Sequence, residues 1–416
     1  MYGVETPEKK DTLFHYGWVI VFTNMLCIMA CLGIGRFAIG MLLPSMAATL
    51  GLTYSQMGYI STANFLGYLA SVLVSGHFSV KAGPRYIIFF SLLLVGCSMA
   101  LVSQARTFSH VLPLYLLTGI GSGATNVPAM GLVSAWFSAA KRGRAAGFVV
   151  IGSGFAIMLS GKLIPYINVL KGSEGWRTSW LILSCIVVTV AVMGLMFLRN
   201  RPEEKGLLPV GADEQKAQGA SVASMTTGNV YREGIIYYLG GIYFLFGYTY
   251  VIYATFIVTT LVKERGFSES VAGNFWAWVG FLSLFSGPVF GTLSDRLGRK
   301  AGLLIVFSLQ TLAYLLVASG LPGMFLYLSV FFYGIVAWSI PSIMAAAVGD
   351  YVGARHAAAA FGLVTFIFGF GQIAGPSVAG ILAEQTESFS SSFYMAAAFA
   401  GLAILLTAFL KKPRSA

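Results

Sequence analysis

GTLSDRLGRK, at residues 291–300, lies between two long apolar runs, and an altered copy, GHFSVKAGPR at 76–85, lies between two more. Gly76 and Gly83 of the first copy correspond to Gly291 and Gly298 of the second, at a constant offset of 215 residues. The same offset pairs Gly51 with Gly266, Gly58 with Gly273, Gly119 with Gly334, Gly147 with Gly362 and Gly154 with Gly369, with no insertion from 51 to 154. A polar, glycine-punctuated loop recurring in register describes two parallel copies of one helical unit. Two such copies are expected to be related by a pseudo-two-fold axis.

Composition supports the same reading. The chain is 57% hydrophobic and only 10% charged, where soluble domains are roughly a quarter charged. A membrane-spanning helix needs about 20 apolar residues. Runs at 17–46, 53–77, 86–105, 108–137, 143–169, 177–198, 233–262, 269–292, 301–319, 322–350, 357–382 and 389–410 predict twelve spans. The expected fold is an all-α integral membrane protein with a six-helix bundle over 1–199, a cytoplasmic linker over 200–232 and a second six-helix bundle over 233–416. The linker is the one long polar stretch, rich in charge, Gly, Pro and Ser. Residues 1–15 are polar and mixed in charge, so no cleavable signal peptide is expected. Cys27, Cys31, Cys97 and Cys185 all lie in apolar runs, as small hydrophobes rather than as a disulfide or metal framework.

A net charge of +11 would suit a nucleic-acid binder, but its distribution excludes one. Lys81, Arg85, Lys141, Arg142, Arg144, Arg296, Arg299, Lys300 and Arg355 fall on the side of the predicted termini, against Arg106, Lys171, Arg177, Lys263 and Arg265 opposite. The positive-inside rule places both termini in the cytoplasm, with the bilayer of a cell inner membrane as partner. A monomer is the expected state.

In pattern, context and recurrence, GTLSDRLGRK resembles the loop between the second and third helices of each half in the major facilitator superfamily. The resemblance implies an alternating-access secondary transporter with no cofactor and no enzymatic activity. It also implies a cytoplasmic lock, in which Asp295, with Arg296 and Arg299 beside it, faces the start of the fifth helix near Lys141, Arg142 and Arg144. Helix N-termini attract carboxylates by about 0.3–1 kcal/mol. Val80 replaces the aspartate in the first copy, so the mirror lock near Arg355 is missing and the gate is expected to be asymmetric. The segment 136–154, WFSAAKRGRAAGFVVIGSG, resembles the fifth-helix signature of monocarboxylate carriers, and HYGWVIV at 15–21 is similar to the first-helix start of their bacterial relatives.

Within the predicted spans, two cations are not easily placed at an interface, Arg36 and Lys162. A central arginine costs about 2.5–3.5 kcal/mol even on a lenient insertion scale, so such residues tend to face cavities. Arg36 lies eight residues before Pro44, where the resemblance to organic-anion carriers of the superfamily implies a substrate-binding arginine. Those carriers have a carboxylate where this chain has Gly35, and a glutamate where span 4 has Thr125 and Asn126. Lys162 is a second anion ligand or a snorkelling residue. No Asp, Glu or His is central to any predicted span; Asp350 and the four histidines lie near loops. An anionic substrate would then supply the missing counter-charge.

Asn64, Asn126, Tyr248, Tyr250, Trp276, Trp278, Trp338 and Gln372 are candidate cavity residues. Tyr248 and Gln372 are the preferred pair, because a polar tip mid-helix wants a partner. Gly287-Pro288 and Gly375-Pro376 are candidate hinges. The leading expectation is a carrier of a small organic anion, a monocarboxylate or similar oxyanion. An exporter of neutral or cationic amphiphiles would want an intramembrane acid, and a non-transporting sensor would want a signalling domain.

Overall fold

The computed structural model describes residues 15–212, 232–353 and 356–411, without the side chains of 139 and 140. Most of the predicted linker, and Arg355 of the mirror lock, lie outside these residues. The described residues are helical almost throughout, with one isolated bridge between Phe137 and Val210. We label the long helices α1 (Gly17–Leu50), α2 (Tyr54–Ala82), α3 (Pro84–Val102), α4 (Phe108–Trp136), α5 (Ala139–Lys171) and α6 (Gly175–Phe197) in the first half. In the second half they are α7 (Gly234–Glu264), α8 (Glu269–Leu297), α9 (Arg299–Ala318), α10 (Met324–Val352), α11 (Ala357–Thr386) and α12 (Ser390–Phe409).

Ten stretches of the described residues are long and apolar enough to cross a membrane, and one of them, Lys141–Phe197, runs through most of α5 and all of α6. The chain is a multi-pass membrane protein. Although 29 residues long, α4 is not among the ten, because its GIGSGATN segment dilutes the apolar content. Three predicted spans hide irregularities, one of them the short π-helical end of α7 at Thr260–Glu264. Helix α1 carries a π-helical segment at Met29–Phe37, and α10 breaks at Ala337–Trp338, where Ser286 Oγ accepts the Trp338 N–H at 3.1 Å. Both prolines proposed as hinges sit inside continuous helices, and the backbone at Gly375 packs against Tyr248. That glycine serves close packing.

The repeat survives in backbone conformation. Gly83 ends α2 at φ 85° and Gly298 ends α8 at φ 90°, a region that L side chains avoid. Their partners at the other loops, Gly51 and Gly266, also match at φ 62° and 69°. A side chain at Gly83 or Gly298 would strain the turn that reverses each helix pair.

Helices α1 and α7 are the most enclosed, with 83% and 94% of their most apolar windows buried against 39% for α8. They meet where Gly40 lies against the Ala254 carbonyl. Two flanking seams join the halves, α2 with α11 and α5 with α8. We call the end holding the turns at Gly83, Gly298 and Gly353 the basic end, and the opposite one the far end. Each seam is closed at the far end and open toward the basic end. On α2 and α11, Gly58 packs on Pro376, Thr62 Oγ1 donates to the Ile373 carbonyl at 2.8 Å, and Leu69 packs on Gly369. Two turns further along the same faces stand Gly76 and Gly362, and a Cβ on either would have no neighbour within 4 Å. On α5 and α8, Gly161 meets Gly273 and Gly154 meets Gly280, whereas Gly147 and Gly287, two turns on, have open space. Residues seven apart share a helix face, so the same stripes that pack at one end have parted at the other.

Candidate substrate site

Arg36 is the last-turn residue of the π-helical segment, on the most enclosed part of the first half. The sequence allows the π turn because the helix is glycine-punctuated there. Gly33 sits against Ala156 and Ser153 of α5, too close for any side chain. A π turn widens the backbone and frees carbonyls, and such turns concentrate at functional sites. Three of these carbonyls are tied down. Ser122 Oγ donates to Cys31 O at 2.8 Å, Asn64 Nδ2 to Gly35 O at 3.3 Å and Tyr115 Oη to Arg36 O at 3.1 Å. Helices α2 and α4 thereby fix the arginine backbone.

Arg36 is 6% exposed, with Nε and one terminal nitrogen buried, so it does not snorkel. Its guanidinium carbon stands 4.2 Å from the ring centres of both Phe65 and Tyr68, which clasp it by cation–π contact. Nε and one terminal nitrogen have no hydrogen-bond partner, and no acidic residue pairs with Arg36 among the described residues. Beside it lies a cavity of about 10 Å³, lined by Arg36, Phe37, Ser61, Asn64, Tyr115 and Thr255 among others. That is room for roughly one water. The Asn64 Oδ1 is likewise buried and unpartnered. A ligand of several heavy atoms can reach this fork only if neighbouring side chains or helices move.

Tyr68 continues the site toward the basic end. Its hydroxyl accepts from Asn126 Nδ2 at 2.8 Å, and both side chains are half-buried. Sequence reasoning named Asn126 but missed Tyr68, Phe65 and Tyr115. The signal for Tyr68 was present, since Ser61, Asn64 and Tyr68 recur at helical spacing on one face of α2.

A second cluster faces the first across the α1–α7 contact. Gln372 of α11 donates through Nε2 to the Tyr250 hydroxyl, and Tyr333 Oη donates to the Tyr250 carbonyl at 3.0 Å. The Trp338 ring lies 6.0 Å from Tyr250 and 5.2 Å from Phe37, so it bridges the halves beside Arg36, and its indole N–H is buried without a partner.

Several expected members are elsewhere. Tyr248 turns to α12, its hydroxyl on Met395 Sδ at 3.4 Å and its ring 4.9 Å from Phe399, so the partner of Gln372 is Tyr250. Trp276 is buried in α8 away from the Arg36 cavity, and Trp278 is 57% exposed. Lys162 is exposed and donates to Asn274 Oδ1, joining α5 to α8. It stands on a seam and does not line the Arg36 cavity.

The expected Asp295 lock is not closed in this conformation. Asp295 is 64% exposed and accepts from Arg299, which also bonds Asp350 Oδ2 at 2.9 Å, so the trio ties α8, α9 and α10 of one half. Arg296 is exposed, and Arg142 donates to the Ser134 carbonyl at 3.0 Å within its own half. The start of α5, with Lys141, Arg142 and Arg144, belongs to the parted side of the seam described by Gly147 and Gly287.

This geometry can be set beside known proteins. The chain is 24% identical over 410 residues to a "Probable sulfoacetate transporter SauU" of Cupriavidus necator, covering 93% of this chain and 92% of that one. It is 24% identical over 394 residues to Monocarboxylate transporter 2 of Homo sapiens, covering 90% and 81%. A solved bacterial homologue of the human lysosomal transporter Spinster, inward-facing and unoccupied, superposes with a TM-score of 0.74 at 16% identity over 96% of this chain and 97% of that one. The last likeness establishes the fold. The family model described as "Uncharacterised MFS-type transporter YbfB" matches residues 28–408, so this chain belongs to that family and is a major facilitator transporter, not an enzyme.

Proposed function

We propose that the protein carries a small organic anion, a monocarboxylate or similar oxyanion, by alternating access, with Arg36 as the anion-binding group. The observation that supports this most is a buried guanidinium with two free donors and no acid beside it among the described residues. The names of the relatives, a sulfoacetate and a monocarboxylate transporter, agree with that sign of charge. In this reading α1–α6 and α7–α12 are two six-helix bundles of twelve spans, joined by the 200–232 linker. The basic end is cytoplasmic under the positive-inside rule, and the parted seams make this the inward-open form.

A thermal-shift screen of the purified protein against small carboxylates, sulfonates and phosphates tests the reading. A ligand at a hundred times its Kd adds about 2.7 kcal/mol of stability. At least one organic anion should raise the melting temperature of the wild type, and neutral isosteres should not. Stabilisation by cationic amphiphiles alone would overturn it.

The Tyr250–Gln372 cluster gives a narrower expectation. Tyr250→Phe removes the hydroxyl that Gln372 uses, leaving a buried amide unpaired, and such losses cost about 1–3 kcal/mol. Anion affinity should fall, whereas Tyr248→Phe, facing α12, should leave it unchanged. Isothermal titration of both variants with the anion found in the screen compares them directly, and equal effects would remove Tyr250 from the site.

For the gate, Asp295→Asn should weaken closure of the basic end. Removing a carboxylate worth about 0.3–1 kcal/mol at a helix N-terminus should raise the inward-open population two- to five-fold. Labelling of a cysteine placed at Gly147 or Gly362, in a background lacking the native cysteines, reads that population. Identical labelling rates would remove Asp295 from the lock.

A further inference from the structure

At the far end, a carboxylate of the second half caps a helix of the first. The N-terminus of α2 is closed by a reciprocal capping box, in which Thr53 Oγ1 accepts from Gln56 N at 3.2 Å and Gln56 Oε1 accepts from Thr53 N at 3.2 Å. The first N–H groups of a helix have no intrahelical acceptor, and the box leaves that of Ser55 over. Glu384 of α11 takes it, Oε2 accepting from Ser55 N at 2.7 Å. One turn before Glu384, Gly380 makes the approach possible. A Cβ there would lie 2.6 Å from the Tyr54 carbonyl oxygen, so only a glycine lets α11 lie this close to the start of α2.

We infer that Glu384 is the far-end latch of this transporter, its carboxylate holding α11 on the α2 N-terminus while the basic end stands open. The bond exists only with the far end shut, because parting α2 from α11 would return both groups to water. A smaller link closes the other seam at the same level, with Asn168 Nδ2 of α5 donating to Glu269 Oε2 of α8 at 2.6 Å. The latch has the chemistry expected of the Asp295 lock, a carboxylate on a helix N-terminus across the halves, at the opposite end of the molecule. It therefore opposes Asp295 in sign: one carboxylate favours the inward-open form, the other the outward-open form. The inference takes from the proposed function only that the far end opens during the cycle, and it does not depend on what Arg36 binds.

Spin labels on cysteines at Arg106 and Leu321, exposed far-end positions of opposite halves, report the opening as a distance distribution in lipid nanodiscs once the four native cysteines are replaced. Glu384→Ala should raise the population with the longer far-end distance about two- to five-fold, the ratio expected for a carboxylate at a helix N-terminus. Glu384→Gln, which keeps the shape and loses the charge, should give a smaller shift of the same sign and keeps the test available if the alanine variant folds poorly. Glu174→Gln is the control, since Glu174 pairs with Arg177 inside the first half at the same end. Unchanged distributions in both Glu384 variants, or an equal shift in the control, would overturn the latch.

Discussion

Arg36→Ala is expected to abolish anion binding in a protein that still folds. Removing one partner of a buried, hydrogen-bonded charge pair costs about 2–5 kcal/mol of binding, or roughly 30- to several-thousand-fold in Kd. The fold should tolerate the loss because the guanidinium carries little structural duty. Nε and one terminal nitrogen bond nothing, and the Arg36 carbonyl that Tyr115 holds is present in any residue. The alanine loses the stacking on Phe65 and Tyr68 but also removes a costly buried cation. Arg36→Lys should recover only part of the affinity, since an ammonium is a point charge without the planar fork that matches an oxyanion. Isothermal titration with the anion identified by the thermal-shift screen measures both. An unchanged Kd in a well-folded Arg36→Ala protein would remove the arginine from the site.

Arg36 and Asn64 were legible because a charge or an amide in an apolar run is expensive enough to demand a reason. The repeat was legible because loop glycines must keep their conformations, and Gly83 and Gly298 do so to within a few degrees of φ. What the sequence did not reveal is rotational. The hydropathy of the π-helical segment at Met29–Phe37 lies within the range of the α-helices, and its glycines permit wider turns without announcing them. It also explains the misplaced tyrosine. The 215-residue offset equates Arg36 with Val251, and Tyr248, three residues earlier, shares that face of a regular helix. Each residue of a π turn advances by a smaller angle than in an α-helix, and the corresponding part of α7 is regular α-helix. Equal sequence positions in α1 and α7 therefore need not face the same way, and Tyr250 faces α11. Tyr115 was invisible for another reason: only the assembled bundle shows that its hydroxyl reaches the backbone of α1. The Glu384 contact spans 329 residues of sequence and likewise needs the seam in place.

Uptake into liposomes is expected to accelerate about tenfold when substrate is present on the far side of the membrane. The argument starts from the uncompensated charge. With no anion bound, reorientation must carry Arg36 through a closed, low-dielectric intermediate, and a central arginine costs about 2.5–3.5 kcal/mol on the lenient scale. If the bound anion relieves even 1.4 kcal/mol of that in the occluded state, the loaded carrier turns over tenfold faster than the empty one. A fixed acid beside the arginine would relieve the same cost by proton exchange. Among the described residues the acids lie instead at the ends of the helix array: Asp295 and Asp350 share Arg299 at the basic end, and Glu269 and Glu384 latch the far end. His15, near the N-terminus, is occupied at the Leu208 carbonyl, 3.1 Å away. Among the described residues no acidic or histidine side chain is placed beside Arg36 to follow it through the cycle, which favours exchange of one anion for another over net transport driven by a protein-borne proton. An imposed pH gradient should accordingly drive little accumulation once protonation of the substrate itself is corrected for. Strong proton-driven accumulation with no counter-substrate would refute exchange, and Asp350→Asn would then be the first variant to make, since Asp350 is the acid of α10 that bonds a neighbouring helix through Arg299.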